Sequence, residues 1–424
     1  MRTPAHKFLI RLACAGWLGS VALPSFAQDC EVGVDCPGFA LGAAYSGDLR
    51  RNATGGLATG NAYSQMLTLS ADWRNETLFS ESTLSANASV MYMGGDGISA
   101  EYVGDLQGLN NIEADSGWRL YQVWTEFAFG NRSHTTVRAG VLDLNAEFDA
   151  PETLGLFVAA PHGIGTEFSQ TGSAGPSIWP ITGLGIRAAG AWDNGFEWRF
   201  GVYDGAPGGP EGDDFSHIHV SSEEGALTVG ELAYSSDRVN KISFGAWSYS
   251  AEFERIDAAL LTDAAPQTGN RGFYALLDVP LGSVGAAQFD GALRVGAANA
   301  DFNPVDRYTG LAFTASGFWA ERPDDALGIA IAYARLGDPY RAAQAFDGLA
   351  TTSAEVSYEL VYSTNLTPWL ALRPGLQFVQ NPGADPALGD AWVIGLRFEV
   401  SKGGAWQQAA RREVPGGPVV GRVN

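Results

Sequence analysis

The segment 118–127 carries chemically useful side chains at every second position, namely Gln122, Trp124 and Glu126. Because alternate side chains of a β-strand share a face, these three form one row. Arg138 in the next segment is expected to lie opposite Trp124 and diagonal to Gln122 and Glu126, within contact distance. Arginine, carboxylate and amide groups offer donors and acceptors to hydroxyl groups, and an indole offers a flat face to the C–H side of a sugar ring. The row therefore suits weak binding of a neutral polyol.

Two other interpretations of this row stay open. Pores that select ions do so with rings of side chains of one sign of charge, so in an ion-preferring pore only the residues of one sign in this row would contribute to selectivity. Charges of both signs on a wet wall can also simply neutralise one another. The alternation turns apolar side chains outward at Tyr121, Val123, Phe127, Val137, Ala139 and Val141. It turns the following polar residues inward: Arg187, Glu197, Arg199, Tyr203, Asp290, Arg294, Glu355, Glu359, Arg373 and Arg397.

A long Gly-, Ser- and Pro-rich excursion interrupts the alternating pattern between residues 139 and 187. Loops of this length are uncommon in compact domains unless they are functional or disordered. We predict that this loop folds into a pore and narrows it. Besides the wall residues Gln122, Trp124, Glu126 and Arg138, the residues expected to contact solute are Asp143, Asn145, Glu147, Phe148, Asp149, His162, Phe168, Gln170, Trp179 and Arg187.

The elements that must position these residues are strands, because period-2 alternation recurs along the whole chain. In the last segment, Trp392, Ile394 and Leu396 alternate with Val393 and Gly395, so that one face suits lipid and the other a wet lumen. About sixteen such segments can be counted. Their expected spans are 39–49, 61–74, 79–93, 118–129, 133–143, 182–193, 196–206, 223–234, 240–251, 270–281, 285–299, 307–319, 326–336, 351–365, 368–380 and 388–400.

The connections between these segments alternate between tight turns and long loops, the long ones including 94–117, 144–181, 207–222 and 252–269. This rhythm is typical of outer-membrane barrels, with short periplasmic turns and long extracellular loops. A soluble β-sandwich would also alternate, but it does not explain the rhythm or the strand lengths. The sequence thus predicts an all-β fold, a transmembrane antiparallel β-barrel of about sixteen strands. Tryptophans expected at the membrane interfaces are Trp73, Trp192, Trp319, Trp369 and Trp392.

The chain begins with a secretory leader. Three basic residues and an apolar run over residues 8–23 precede small residues at 25–27, which suit a signal peptidase. We therefore divide the chain into a signal peptide (1–27), an N-terminal periplasmic segment (28–38), a β-barrel porin domain (39–400) and a C-terminal tail (401–424). No later stretch approaches the roughly 20 apolar residues of a membrane-spanning helix, which excludes a helical membrane protein.

The net charge of −21 excludes a nucleic-acid partner, since such proteins need clustered Lys and Arg. Of the three cysteines, Cys14 leaves with the leader, and the exported pair Cys30 and Cys36 is expected to form a disulfide rather than free or metal-bound thiols. His217 and His219 alternate in an acidic loop, where the solvated state is favoured over a metal site. No cofactor and no metal are expected.

Several segments, in order, resemble those of the carbohydrate-selective porin family, the OprB-like porins. They are YVGDLQGLNNIEA (102–114), WRLYQVWTEF (118–127), RAGVLDLNAEFD (138–149), FSQTGSAGPSIWPITGLGIR (168–187), RPDDALGIAIAYARL (322–336) and TPWLALRPGLQFVQNPGADPALGDAWVIGLRFEV (367–400). The resemblance implies a sixteen-stranded outer-membrane channel for monosaccharides such as glucose, narrowed by loops in its lumen. The chain departs from the family pattern in two places: Gln122 replaces an expected glutamate, and a tail follows Phe398, where the family usually ends.

The resulting expectation is a passive, carbohydrate-selective porin of the Gram-negative outer membrane, and not an enzyme. The alternatives are a general or ion-preferring diffusion porin and, from other classes, a barrel hydrolase or an adhesin. A hydrolase needs a nucleophile, a base and an orienting partner, and the chain lacks a GxSxG-type elbow. The partners expected are small-molecule carbohydrates, outer-membrane lipids, lipopolysaccharide and the barrel assembly machinery, and a homo-oligomer is left open.

Overall fold

The computed structural model describes residues 38–79, 82–129, 134–208, 215–216, 218, 221, 223–236, 238–262 and 264–401. The predicted signal peptide, the cysteine pair Cys30 and Cys36, the histidines His217 and His219, and the tail beyond Ser401 lie outside the described residues.

The described residues form sixteen strands with few helices between them, as the alternating pattern predicts. The strands are β1 (Gly38–Gly56), β2 (Gly60–Phe79), β3 (Ser82–Gly95), β4 (Gly117–Phe129), β5 (His134–Leu142), β6 (Gly183–Ala191), β7 (Phe196–Asp204), β8 (Ala226–Ser236), β9 (Val239–Tyr249), β10 (Arg271–Val284), β11 (Ala287–Ala298), β12 (Val305–Ser316), β13 (Ala326–Leu336), β14 (Ala354–Thr367), β15 (Leu370–Gln380) and β16 (Gly389–Ser401).

These strands close into one antiparallel barrel. Each strand pairs with its neighbour in sequence, and β1 closes the ring by pairing with β16 over the register Ala44 to Ser401 through Gly56 to Gly389. Closure leaves no edge strand with unpaired backbone groups, which is the condition for a sheet to cross lipid. Short connections such as residues 285–286 and 368–369 lie at one end of the barrel, and the longest, 96–116 and 143–182, lie at the other.

The two faces of the wall meet different surroundings. On β13, Leu327 and Ile329 point outward and are exposed, whereas the intervening Gly328, Ala330 and Ala332 point inward and are buried. Trp192, Trp319 and Trp369 are exposed at the short-turn end, and Trp118 and Trp392 at the opposite end. Such a band of apolar side chains between two aromatic girdles is typical of barrels embedded in a membrane.

The inward and outward assignment by alternation is wrong at Tyr121. The register of β3 against β4 shifts between the pairs Ser89–Gln122 and Val90–Leu120, which leaves Tyr121 as a bulge without a partner. A bulge redirects the side chain at the extra residue. Tyr121 consequently points inward, is buried, and donates a hydrogen bond from Oη to Asp143 Oδ2 at 2.5 Å.

The long connections contain short helices. They are a π-helix (Ser99–Val103), the 3-10 helices Leu144–Ala146, Thr153–Leu156, Ala160–His162, Ala258–Leu260 and Pro382–Ala384, and the α-helices α1 (Thr166–Ser169) and α2 (Asp338–Phe346). No helix in the described part of the chain has the length and apolar character needed to cross a membrane.

Two of these connections, the β3–β4 loop (residues 96–116) and the β5–β6 loop (residues 143–182), pack inside the barrel. Phe168 of the β5–β6 loop stacks on Trp247 of the wall with ring centroids 5.0 Å apart, and Phe148 meets Tyr203 edge-on. At β13, Leu156 and Phe157 lie so close that a Cβ added at Gly328 would come within 2.8 Å of either side chain. The prediction that residues 139–187 fold into the barrel is therefore confirmed.

A charge on the outer face should disturb membrane assembly. Leu396 points outward from β16 between Leu49 and Pro374 of the adjacent strands. We expect Leu396→Arg to destabilise the barrel in lipid vesicles. Its free energy of unfolding should fall by about 2–4 kcal/mol, the cost of arginine near the bilayer midplane. Urea titration of folded and unfolded bands by gel mobility measures the effect, with Leu396→Met as the control. Equal stability of the two variants would contradict the outward assignment.

Candidate functional site

A row of charged side chains crosses the inner wall on β4, β5 and β6. Glu126 pairs in register with Arg138, and Arg138 pairs with Arg187, so that all three lie at one level. The prediction that Arg138 lies opposite Trp124 is wrong by two residues: Trp124 faces Gly140, whose added Cβ would come within 2.1 Å of the Val123 carbonyl oxygen. The Arg138 guanidinium nevertheless lies over the Trp124 ring, 3.8 Å from its centroid, as a cation–π pair.

Glu147 completes this row from the β5–β6 loop. Arg138 lies 3.0 Å from Glu126 and 2.8 Å from Glu147, while Arg187 lies 2.7 Å from Glu126 and 2.5 Å from Glu147. The side chains of Glu126 and Arg138 keep 17% and 13% of their area exposed, so water in the lumen reaches them. We call Trp124, Glu126, Arg138, Glu147 and Arg187 the charged patch. It contains two cations, two carboxylates and one indole.

A second group of charges continues along the wall toward the short-turn end. Arg199 lies 2.6 Å from Glu197 and 3.0 Å from Glu231, and Lys241 lies 3.0 Å from Glu231 on its other side. Glu197 and Arg199 are among the residues that alternation turns inward. Glu231 and Lys241 were missed, although Glu231 precedes the outward Leu232 and Lys241 precedes the outward Ile242, so the same alternation could have found them.

Asp143 and Asn145 shape the start of the β5–β6 loop. Besides Tyr121, Asp143 accepts a hydrogen bond from the Asn145 backbone N–H at 2.8 Å, and burial raises the pKa of its carboxyl to about 6. Asn145 Nδ2 donates to the carbonyl oxygens of Phe148, Asp149 and Gly163 at 3.1–3.2 Å. Both side chains are buried. They fix the backbone that presents Glu147 to the wall.

Arg294 of β11 binds two separate segments of the β5–β6 loop, one at Asp149 and one at Glu167. Its guanidinium donates to Asp149 from Nε at 2.7 Å and from Nη2 at 2.5 Å, and to Glu167 from Nη1 at 2.9 Å and from Nη2 at 2.7 Å. All three side chains are buried. A Cβ at Gly296 would lie 1.7 Å from Glu167 Oε1, so glycine is needed there for the close approach. Asp149 itself has a φ of 53°, a left-handed conformation that the arginine contacts offset.

Other wall carboxylates accept hydrogen bonds from loop backbone N–H groups. Glu359 accepts from the amides of residues 158 and 159 at 3.0 Å each, and Asp278 accepts from the amide and hydroxyl of Thr153 at 2.8 and 2.6 Å. In the β3–β4 loop, Glu355 accepts from the amides of residues 106 and 107 at 2.6 and 3.2 Å. Glu355 and Glu359 point inward as predicted, and their contacts are with the loops.

The two loops also hold each other. The Asn111 backbone N–H donates to the Val158 carbonyl oxygen at 2.8 Å, and Gln170 Nε2 donates to the Leu106 carbonyl oxygen at 2.7 Å. On the wall side, Arg397 donates to Asn110 and Asn111 at 2.6 Å each. The loops therefore form one packed body across the lumen.

Of the remaining predicted site residues, all but Gln122, which lies on β4, belong to this packed body. Phe148, Phe168 and Trp179 have no exposed area, and Trp179 packs among Met91, Met93 and other apolar side chains. His162 is also buried, with its ring 5.1 Å from that of Phe157. Burial lowers the pKa of His162 to about 3, so the imidazole is neutral at neutral pH. Gln122 and Gln170 are partly exposed. The structure thus brings Trp124, Glu126, Arg138, Glu147 and Arg187 together, and Trp124 packs against the buried cluster that contains Phe148 and Phe168.

Removing the buried arginine should release the loop. We expect Arg294→Met to leave Asp149 and Glu167 buried without a counter-charge, at a cost of about 3–5 kcal/mol. The β5–β6 loop should then exchange amide hydrogens faster while the strands stay protected. Arg341→Met is the matched control, because Arg341 is partly exposed on α2 and pairs only at 3.4 Å with Asp338. Unchanged loop protection in the Arg294 variant would contradict this role.

Comparisons with known proteins agree with the fold. The family model for the carbohydrate-selective porin, OprB family, matches residues 58–401. Porin B of Pseudomonas aeruginosa is 22% identical over 399 residues, which cover 84% of this chain and 86% of that protein. The high-pH structure of Pseudomonas putida OprB has a TM-score of 0.76 at 19% identity and covers 86% of this chain and 94% of its own. A mutant Rh. blastica porin has a TM-score of 0.53 at 10% identity, with coverages of 86% and 100%. The chain therefore belongs to the carbohydrate-selective porin, OprB family, and is a sugar-conducting β-barrel of the Gram-negative outer membrane.

Proposed function

We propose that the channel passes monosaccharides such as glucose by passive diffusion and binds them weakly at the charged patch. The observation that carries the proposal is the close group of Trp124, Glu126, Arg138 and Arg187 on the inner wall, which Glu147 completes. Trp124, Glu126 and Arg138 are partly exposed, whereas Arg187 and Glu147 are buried. Guanidinium groups donate to sugar hydroxyls, and carboxylates accept from them. The partly exposed indole offers an apolar surface to a sugar ring.

The arrangement favours a neutral solute because every charge in the patch already has a counter-charge. A solute that brings no net charge can exchange hydrogen bonds with these groups without leaving a buried ion unpaired. A solute that lacks hydroxyl groups leaves donors and acceptors of the wall unsatisfied once water is displaced. The preference for polyols then arises from hydrogen bonding, and the passage width is set by the two packed loops.

The buried residues of the predicted site support the passage indirectly. Asp143, Asn145 and Asp149 fix the loop backbone, and Phe148, Phe168, Trp179 and His162 form its packed interior. We propose that they position Glu147 and set the width of the passage without touching solute. Gln122 and Gln170 are partly exposed and stay candidates for solute contact.

Membership of a porin family makes the protein a channel rather than an enzyme. We further propose that it hydrolyses neither phospholipids nor esters, that residues 1–27 are removed as a leader and that Cys30 and Cys36 form a disulfide. Outer-membrane lipids and lipopolysaccharide are the proposed surroundings of the outer face, and the barrel assembly machinery inserts the chain. A homo-oligomer would bury part of the outer face. A general or ion-preferring diffusion porin is the alternative that the next experiment tests.

Sugar preference is measured directly by liposome swelling. We expect proteoliposomes to swell faster in glucose than in amino acids or salts of matched hydrodynamic size, because only the sugar satisfies the paired donors and acceptors of the patch. Empty liposomes give the leak, and a disaccharide tests the width of the passage. Equal rates for sugars and for matched amino acids would support the general diffusion porin instead.

The charged patch should carry this preference. We expect Trp124→Ala and Arg138→Ala to change glucose flux about threefold or more, since a stacking or hydrogen-bonding contact contributes about 1 kcal/mol. Both variants should insert and migrate as folded barrels. Arg341→Ala, on the exposed helix α2, is the control that should leave flux unchanged. Wild-type flux in both patch variants would show that solute passes elsewhere.

A further inference from the structure

Glu147 differs from the other charged members of the patch in its origin. Glu126, Arg138 and Arg187 belong to the strands β4, β5 and β6, whereas Glu147 follows the 3-10 helix Leu144–Ala146 in the β5–β6 loop. Its Oε1 atom lies 2.8 Å from Arg138 and 2.5 Å from Arg187. Without Glu147, the wall would present two guanidinium groups against the single carboxylate of Glu126. The loop therefore supplies the charge that brings the patch to balance.

We propose that Glu147 is the residue that determines charge selectivity in this channel, keeping a patch that would otherwise attract anions neutral. The inference rests on the proposed function, since it explains how a wall rich in arginine can serve an uncharged sugar. Channels that select anions do so with Arg or Lys facing the pore in excess over carboxylates. Here the loop cancels that excess at the point where it enters the lumen.

The neighbouring charges cannot replace Glu147. Arg199 and Lys241 are already balanced by Glu197 and Glu231 at 2.6–3.0 Å, so this second group contributes no spare carboxylate. Among the other acids of the loop, Asp149 and Glu167 are bound to Arg294 and fully buried, and Asp143 is buried and accepts hydrogen bonds from Tyr121 and from the Asn145 backbone N–H. Loss of the Glu147 charge would therefore leave a net positive charge beside the passage.

The test is the reversal potential of single channels in a planar bilayer under a potassium chloride gradient. We expect Glu147→Gln to raise the chloride-to-potassium permeability ratio about threefold or more, since a unit charge a few ångströms from a permeating ion in water changes its local concentration several-fold. Glu147→Asp should stay close to wild type. Glu101→Gln is the matched control, because Glu101 is an exposed carboxylate of the β3–β4 loop away from the patch.

A second variant separates charge from displacement of the loop. Glu147→Gln combined with Arg138→Gln leaves one cation, Arg187, facing one carboxylate, Glu126, so the permeability ratio should return toward that of wild type. The proposal is overturned if Glu147→Gln matches the Glu101→Gln control, or if the double variant stays as anion-selective as the single one. Wild-type sugar flux is measured separately by swelling. If the wild-type channel showed no sugar flux, the proposed function would be wrong. The effect of Glu147 on the chloride-to-potassium permeability ratio is measured independently of that result.

Discussion

The structure depends on one constraint: irregular backbone placed inside a barrel must find a partner for each buried N–H group. The β3–β4 and β5–β6 loops meet this constraint with carboxylates of the wall. Glu359, Asp278 and Glu355 each accept from loop amides, and Arg294 joins two loop carboxylates to β11. Because these groups are buried, each contact is stronger than its counterpart in water, and each unpaired group would cost more. The position of the loops follows from these bonds.

The inward charges of the wall consequently divide into two sets with different environments. The first set is fully buried and binds the loops, as Glu355, Glu359 and Arg294 do. The second set retains contact with water and includes Glu126, Arg138 and Arg199, on β4, β5 and β7. Counting inward charges alone would assign all of them to the passage. Burial is what separates the anchoring groups from those that can meet a solute.

Much of the fold could be predicted from the sequence because one face of a barrel strand contacts lipid and the other contacts the lumen. Apolar and polar residues therefore alternate with a period of two. The number of strands and most inward residues follow from that period. The end of β1 was missed, since Arg50, Arg51 and Asn52 break the apolar alternation although the strand continues to Gly56. Tyr121 was misassigned because a bulge shifts the alternation without any mark in the local sequence.

The site was less predictable, and for a different reason. The row around Arg138 was found because alternation places it inward, but its pairing with Glu126 depends on the register across the β4–β5 turn, which alternation does not determine. In the loop, polar and aromatic residues have no period that tells the buried side from the exposed side. Phe168 and Trp179 look like surfaces for a sugar ring, yet a loop enclosed by a barrel also needs apolar residues to pack.

The way in which Glu355, Glu359 and Asp278 hold the loops has a consequence for how such channels change over time. These carboxylates bind main-chain amides, which every residue except proline possesses, so much of the docking is indifferent to loop side chains. Substitutions in the loop can then alter charge or shape in the passage while the loop stays in place. The same barrel strands can therefore hold loops of different sequence, and new solute preferences can arise without substitutions in the strands.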